Sequence, residues 1–254
     1  MKLTILGSGT SVPHPERASA AHWVETTSGT LLLDISADAP RRMVQEGLDW
    51  PNLDTIWVSH FHLDHVGGLA PFLFSLKWAP QTESRSKPLR IFGPQGLRRI
   101  VDAVNDSNNY RLFKQPFDVE IVEVAPGAEF EILPNIAATT LSTPHTAESL
   151  ALRLKVDDSK LFVYTSDTGF SEDLAPFAKA AALLLMECSF RRNKPVWKHL
   201  ELADAMRLAR ECAPAKLVLT HLHSEWDNVD LAAEARSLWS GETIEARDGL
   251  QLEI

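Results

Sequence analysis

Residues 59–68 read SHFHLDHVGG, a stretch that sets His60, His62, Asp64 and His65 almost side by side. Imidazole nitrogens and carboxylate oxygens are the donors that zinc and similar first-row cations take. The stretch follows TIWVS, an apolar, β-branched run that reads as a buried strand. In an extended chain residues two apart point the same way, so His60 and His62 can face one cation. A turn after them lets Asp64 and His65 project into the neighbouring space. The bland alternative is a polar loop holding chance histidines. With only 9 histidines in the whole chain, so dense a cluster by chance is improbable. Imidazoles beside a buried strand also need partners, and a metal supplies them.

H-x-H-x-D-H after a strand resembles the signature of the metallo-β-lactamase superfamily. That resemblance implies an α/β, four-layer αββα sandwich with a dinuclear metal centre at one sheet edge. It also implies three more ligands, each after a later strand: His145 in STPHTAESLAL, Asp167 in FVYTSDTG and His221 in KLVLTHLH. Alone, His145 or Asp167 would read as a satisfied core or turn residue; their occurrence together, in family order, outweighs that reading. By the resemblance His60, His62 and His145 hold one ion, Asp64, His65 and His221 hold the other, and Asp167 bridges them. Two cations roughly 3.5–4 Å apart can share a hydroxide, lower its pKa and brace a transition state. Zinc (Zn2+) is the first expectation, and manganese (Mn2+) or iron suits the same donors.

Within the superfamily, LGSGTSVPHPERASA and the segment from MECSFRRNKPVWKHLELADAM to KLVLTH resemble ribonuclease Z, the tRNA 3′-processing endonuclease, and its small phosphodiesterase relatives. The resemblance implies a catalytic set of Asp64, His199 and Glu187, with His199 donating to the phosphoryl or leaving oxygen and Glu187 orienting it. Arg191, Arg192, Lys194 and Lys198 cluster before His199; they read either as a solvated face or as a grip on substrate phosphate. Ribonuclease Z usually carries a tRNA-binding arm between the third histidine and the bridging aspartate. Here His145 and Asp167 are too close in sequence for one, and SDTG lacks the glycine that usually precedes that aspartate. The cysteine-rich zinc site of the cyclic-phosphate enzyme of phosphonate breakdown has no counterpart near this N-terminus. The expected activity is hydrolysis of a small or cyclic phosphodiester. An armless tRNA nuclease, a lactonase or β-lactamase, and a non-catalytic metal module are the alternatives.

The elements that must hold these residues are legible in outline. Strands are expected at residues 2–6, 22–26, 30–34 and 55–59, with helices over 38–47 and through the apolar stretch ending at Trp78. Further on come LRIFG, a helix over 95–104, and the strands DVEIVEV, IAATTLST, SLALRLKV and LFVYTS. A short helix over 174–179, the strand AALLLMEC, a helix over 202–212, the strand KLVLT, a helix over 229–239 and two short strands complete the chain. Strands alternating with helices in both halves predict two sheets with helices outside, as one domain over 1–254. The aromatics of LAPFLFSLKWAP fit a core, a pocket lining or a homodimer face, and periodicity leaves these open.

Composition is that of an ordinary globular protein, 44% hydrophobic and 23% charged. A net charge of −9 gives no general attraction for nucleic acid or anionic membrane. Cys188 and Cys212 cannot form a disulfide framework. The N-terminal apolar run is too short for a signal segment, and no run has membrane-spanning length. A cytoplasmic protein is the expectation.

Overall fold

A computed structural model of the chain describes residues 1–156 and 160–254. The first half supplies β1 (Lys2–Gly7), β2 (Ala21–Thr26), β3 (Gly29–Leu33), α1 (Ala39–Gln45), β4 (Thr55–Trp57), α2 (Leu63–Val66), α3 (Leu69–Trp78), β5 (Leu89–Pro94), α4 (Leu97–Ser107) and β6 (Val119–Val124). The second supplies β7 (Glu129–Leu133), β8 (Ile136–Ser142), β9 (Leu150–Val156), β10 (Lys160–Tyr164), α5 (Leu174–Phe177), β11 (Leu183–Glu187), α6 (Leu202–Cys212), β12 (Lys216–Thr220), α7 (Leu231–Arg236), β13 (Thr243–Glu245) and β14 (Gln251–Glu253). They form two 7-stranded sheets, ordered β14-β1-β2-β3-β4-β5-β6 and β13-β12-β11-β10-β9-β8-β7.

Strand alternation sorts the apolar side chains into layers. Phe162, Tyr164, Leu183 and Leu185 face Leu31, Leu33, Trp57 and Phe92 across the gap between the sheets. Their neighbours Val163, Leu184 and Met186 face outward, against Leu174, Met206 and Leu231 of the second sheet's helices. On the opposite side Trp23, Ile56 and Val58 pack under Met43, Phe72 and Val101. The result is the expected four-layer αββα sandwich. Among the described residues, no helix is long and apolar enough to cross a membrane.

Some expectations are corrected. Residues 129–133, EFEIL, form β7, a strand the sequence reading passed over. Its two glutamates lower β propensity, but they alternate with inward residues, and Asn135 at φ 63° makes the turn into β8. The two short terminal strands part company: β13 runs parallel to β12, while β14 pairs antiparallel with β1 in the other sheet. The aromatics of residues 69–80 also divide. Phe72 is buried in the core, whereas Phe74 and Trp78 are exposed beside Tyr110.

Two runs of parallel strands matter for function. β3, β4, β5 and β6 run parallel in one sheet, and β10, β11, β12 and β13 do so in the other. The loops at the carboxyl ends of parallel strands form the crevice where such folds bind ligands. In the first sheet the corner between α2 and α3 closes onto the exit of β3. Gly68 donates its N–H to the Ile35 carbonyl at 2.9 Å, and a Cβ there would lie only 2.1 Å from the Ser36 carbonyl oxygen. Gly68→Ala should therefore cost about 1–3 kcal/mol of stability, read from urea denaturation. A loss under about 0.5 kcal/mol would mean the corner relaxes freely.

Candidate metal centre

Every residue of the sequence-derived ligand set follows a strand or sits in the corner that a strand feeds. His60 comes three residues after β4, His62 precedes α2, and Asp64 and His65 lie on α2. His145 lies between β8 and β9, Asp167 follows β10, and His221 follows β12 directly. Asp34, Ser166 and His221 adopt left-handed backbone, with φ of 57°, 56° and 59°. Such conformations cost of order 1–3 kcal/mol each in a non-glycine residue and cluster at functional sites. Here they turn the chain sharply at strand exits, so that side chains face the crevice.

The side chains converge. The ligand atoms of His60, His62, His145 and Asp167 lie within 4.8 Å of one another, and so do those of Asp64, His65 and His221. His62 Nδ1 and His145 Nε2 are 2.9 Å apart. Asp167 stands between the groups. Its Oδ2 is 4.0 Å from His60 Nε2, 3.7 Å from His145 Nε2 and 3.3 Å from His221 Nε2, while Oδ1 is 3.3 Å from His65 Nε2. Asp64 Oδ2 lies 3.6 Å from His65 Nε2 and 3.4 Å from His221 Nε2. Burial alone would raise the Asp167 carboxyl, but the His221 and His65 imidazoles outweigh it and hold it well below the usual carboxylate range. His60 Nε2 and His65 Nε2 are buried without a hydrogen-bond partner, which a protein interior rarely tolerates. Nitrogen and oxygen donors aimed at one point, two of them otherwise orphaned, fit divalent cations.

Beneath the ligands lies a residue that the sequence reading missed. Asp34, fully buried after β3, accepts from Ser59 N at 2.7 Å on Oδ1. Its Oδ2 accepts from Ser59 Oγ at 2.8 Å and Tyr164 O–H at 2.7 Å, and lies 2.7 Å from His65 Nδ1. An acceptor-only carboxylate fixes the His65 proton on Nδ1 and leaves Nε2 bare for a cation. Ser59 Oγ also sits 3.0 Å from His60 Nδ1. The signal was available: LLLDIS places an acid directly after an apolar strand, where only strong pairing permits burial.

Glu187 and His199 form a second such arrangement. Glu187, buried at the end of β11, accepts from Thr168 N at 2.5 Å, Ser189 Oγ at 2.7 Å and Leu200 N at 3.1 Å. Its Oε1 is 3.0 Å from His199 Nδ1. Burial disfavours a charged His199, but the hydrogen bond and charge of Glu187 overcome this and raise its pKa above the ordinary value. With Nδ1 engaged, the His199 ring joins Asp167 and His221 in a third close cluster. The approach depends on Gly169, since a Cβ there would lie 2.3 Å from the Trp197 carbonyl oxygen.

His62, Asp64, Asp167 and His221 line a cleft of about 630 Å³ together with Thr10, Ser11, Ser19, Leu63, His199 and His223. The basic run is not part of it. Arg191 pairs with Glu234, and its N–H donates to Glu225 at 2.5 Å. Lys194 pairs with Asp204. Arg192 reaches toward Glu234 at 3.7 Å with most of its side chain in solvent. Of the two readings of this run, the ion pairs of Arg191 and Lys194 are those of a solvated outer face. Lys198 contributes its carbonyl, 3.0 Å from His145 Nδ1.

Comparison with known proteins agrees with this geometry. The chain is 25% identical to the probable metallo-hydrolase YhfI of Bacillus subtilis over 98% of both proteins. It superposes on the crystal structure of that metallo-β-lactamase fold protein with a TM-score of 0.83, covering 100% of this chain and 99% of the other. It is 24% identical to ribonuclease Z of Archaeoglobus fulgidus, over 100% of this chain and 97% of that one. A diphosphatase of the PhnP family shares the fold at a TM-score of 0.77 and 19% identity, over 100% and 97% of the two chains. A family profile described as "Anti-Pycsar protein Apyc1" matches residues 1–240. The chain is a metal-dependent hydrolase of the metallo-β-lactamase superfamily, in its ribonuclease Z-like branch, and it belongs to the Apyc1 family.

Proposed function

We propose that this protein is a phosphodiesterase that hydrolyses a small or cyclic phosphodiester at a two-metal centre. His60, His62 and His145 would hold one ion, Asp64, His65 and His221 the other, and Asp167 both, with zinc the first choice. Bound divalent cations would supply Lewis acidity toward the phosphoryl group and an activated water.

The observation that carries the reading is the placement of His199. An imidazole backed by the buried Glu187 carboxylate stands beside Asp167 and His221, where it can serve as a proton donor to a leaving group. An alkoxide leaving from phosphorus needs a proton. Glu187 accepts from Nδ1 at 3.0 Å, and its charge favours the doubly protonated ring, whose second proton, on Nε2, would go to the leaving oxygen. Ser189 Oγ, 3.2 Å from the same Nδ1 and 2.7 Å from Glu187, keeps the ring from rotating. Asp64 has both a ligand's and a catalytic part, since Oδ2 faces His65 and His221 from the open side of the cleft.

A small substrate is favoured over precursor tRNA on two grounds. The alignment with the Archaeoglobus ribonuclease runs to 311 positions against the 254 residues here, so that enzyme carries insertions this chain lacks. The net charge of −9 opposes binding a polyanion, whose affinity rests largely on phosphate neutralisation.

The test is metal analysis of the purified protein with turnover of bis-p-nitrophenyl phosphate, p-nitrophenyl acetate and a chromogenic β-lactam. About two ions per chain with diester turnover are expected, and His199→Ala should lower kcat on the diester roughly 10²–10⁴-fold while leaving metal content unchanged. Opening of the lactam or ester with no diester turnover would move the function to carbon–heteroatom hydrolysis. Asp34→Asn tests the buried support separately: metal affinity should fall about 10–100-fold in chelator competition. Unchanged affinity would reduce Asp34 to a purely structural acid.

A further inference from the structure

The segment 8–20, between β1 and β2, is a thin partition. Its inner side gives Thr10, Ser11 and Ser19 to the metal cleft. Its outer side gives His14, Glu16 and Arg17 to a separate polar cavity, also of about 630 Å³, closed on the far side by Trp226, Asp227 and Glu245. Open space on both faces leaves the partition free to shift unless something fastens it.

Its base is fastened firmly. Asp248 accepts from Ser8 N at 2.9 Å, Ser8 Oγ at 2.8 Å and Ala18 N at 2.8 Å, while Gly9 N bonds to the Ala18 carbonyl at 2.8 Å. The tip, residues 11–17, is different. Its own hydrogen bonds are local: Val12 N to Thr10 Oγ1 and Glu16 N to His14 Nδ1. Among the described residues, its side-chain polar contacts with the rest of the chain run through His14 and Arg17. His14 Nε2 lies 3.1 Å from Asp227 Oδ2, Arg17 pairs with Asp227 Oδ1, and Arg17 reaches Glu245 at 3.9 Å. Asp227 itself stands on a rigid post. The segment that leaves His221 bonds Leu222 N to the Ser8 carbonyl at 2.9 Å, then buries Trp226, whose Nε1 donates to the Cys188 carbonyl at 2.9 Å. Pro13 and Pro15 each fix a φ angle within the tip.

We propose that Asp227 is a specificity-determining positioning residue: by clasping His14 and Arg17 it ties the tip of the 8–20 partition to the segment following His221. The two walls so joined hold the metal cleft at a width that admits small diesters and excludes chain-like polynucleotides. The substrate half rests on the phosphodiesterase reading; the clasp does not. A cleft of this volume is in the range of small-ligand sites. Asp227 meets Arg17 on Oδ1 and His14 on Oδ2 while Arg17 also reaches Glu245, and such a network holds its shape better than an isolated exposed pair.

The experiment compares the metal-loaded full-length protein with Asp227→Asn, Arg17→Ala and the charge-swapped pair Arg17→Asp with Asp227→Arg. Amide hydrogen exchange of residues 10–18 should speed up about tenfold in both single variants, with exchange in β1 and β2 unchanged. KM for bis-p-nitrophenyl phosphate should rise on the order of tenfold with kcat within about threefold. Cleavage of a single-stranded oligonucleotide should increase relative to the small diester, and the charge swap should restore the original exchange and KM. Equal exchange in wild type and both single variants would overturn the clasp. Loosened exchange with an unchanged substrate ratio would overturn the selectivity it is assigned. If the wild type turns over no diester, the phosphodiesterase reading fails, yet the exchange comparison still decides the clasp. Thermal midpoints and metal content of each variant separate loosening of the tip from unfolding.

Discussion

Burial of like groups around one point is the constraint on which this molecule turns. Asp167 is 2% exposed, Asp34, His60 and His65 are fully buried, and His145 and His221 are each 4% exposed. Anions and imidazoles taken out of water together are tolerable only when protons, hydrogen bonds or cations answer each of them. Asp34 is answered by Ser59, Tyr164 and His65, and Glu187 by Thr168, Ser189, Leu200 and His199. Among the described residues, His60 Nε2 and His65 Nε2 have no hydrogen-bond partner and face the Asp167 carboxylate. The cluster presents more lone pairs than the protein itself satisfies, a set that fits divalent cations.

The sandwich is what makes such crowding affordable. Side chains can be held this closely only if the backbone beneath them does not relax, and the strand exits supply that rigidity. Three of the exits hold a non-glycine residue in the left-handed region, at Asp34, Ser166 and His221. Strain of this kind persists where surrounding contacts over-determine the geometry. The inter-sheet core around Trp57, Phe162, Leu185 and Val218 provides those contacts directly behind the site. The stiffness of the core and the openness of the crevice are therefore complementary features of one design: strain sits where the packing is densest, and the cleft opens only outward from it.

Much of this was legible in the sequence because its signals are local. His60, His62, Asp64 and His65 lie in one turn, and the apolar runs before them and before Asp167, Glu187 and His221 announce buried strands. The helix over 202–212 was legible to the residue, its apolar positions being spaced for one face. What the sequence does not show is long-range. The basic run at 191–194 looks available in sequence, since nothing nearby reveals that Glu234, Glu225 and Asp204 come from other elements to pair with it. Asp34 was passed over for a related reason: its four donors come from β4's exit, α2 and β10, and no spacing rule joins them. β7 was hidden by its glutamates, which solvent accepts on one face of an edge strand.

The same contrast bears on how substrate recognition is distributed. A polymer-processing enzyme can read its substrate at a distance, through an appended arm and a basic surface. Here β9 and β10 fill the sequence between His145 and Asp167, and the nearest cluster of cations is neutralised by its own neighbours. On the phosphodiesterase reading, recognition would fall to the cleft itself, which Thr10, Ser11 and His199 line. A site that recognises by proximity must fix its walls more tightly than one that recognises from afar, because a wall displaced by an ångström costs orientation at the reacting atoms. That requirement gives a physical reason for the density of buried acceptors behind the ligands. Asp34, Glu187 and Asp248 perform one task at three places: each is a carboxylate that converts a loose loop into a fixed edge of the cleft.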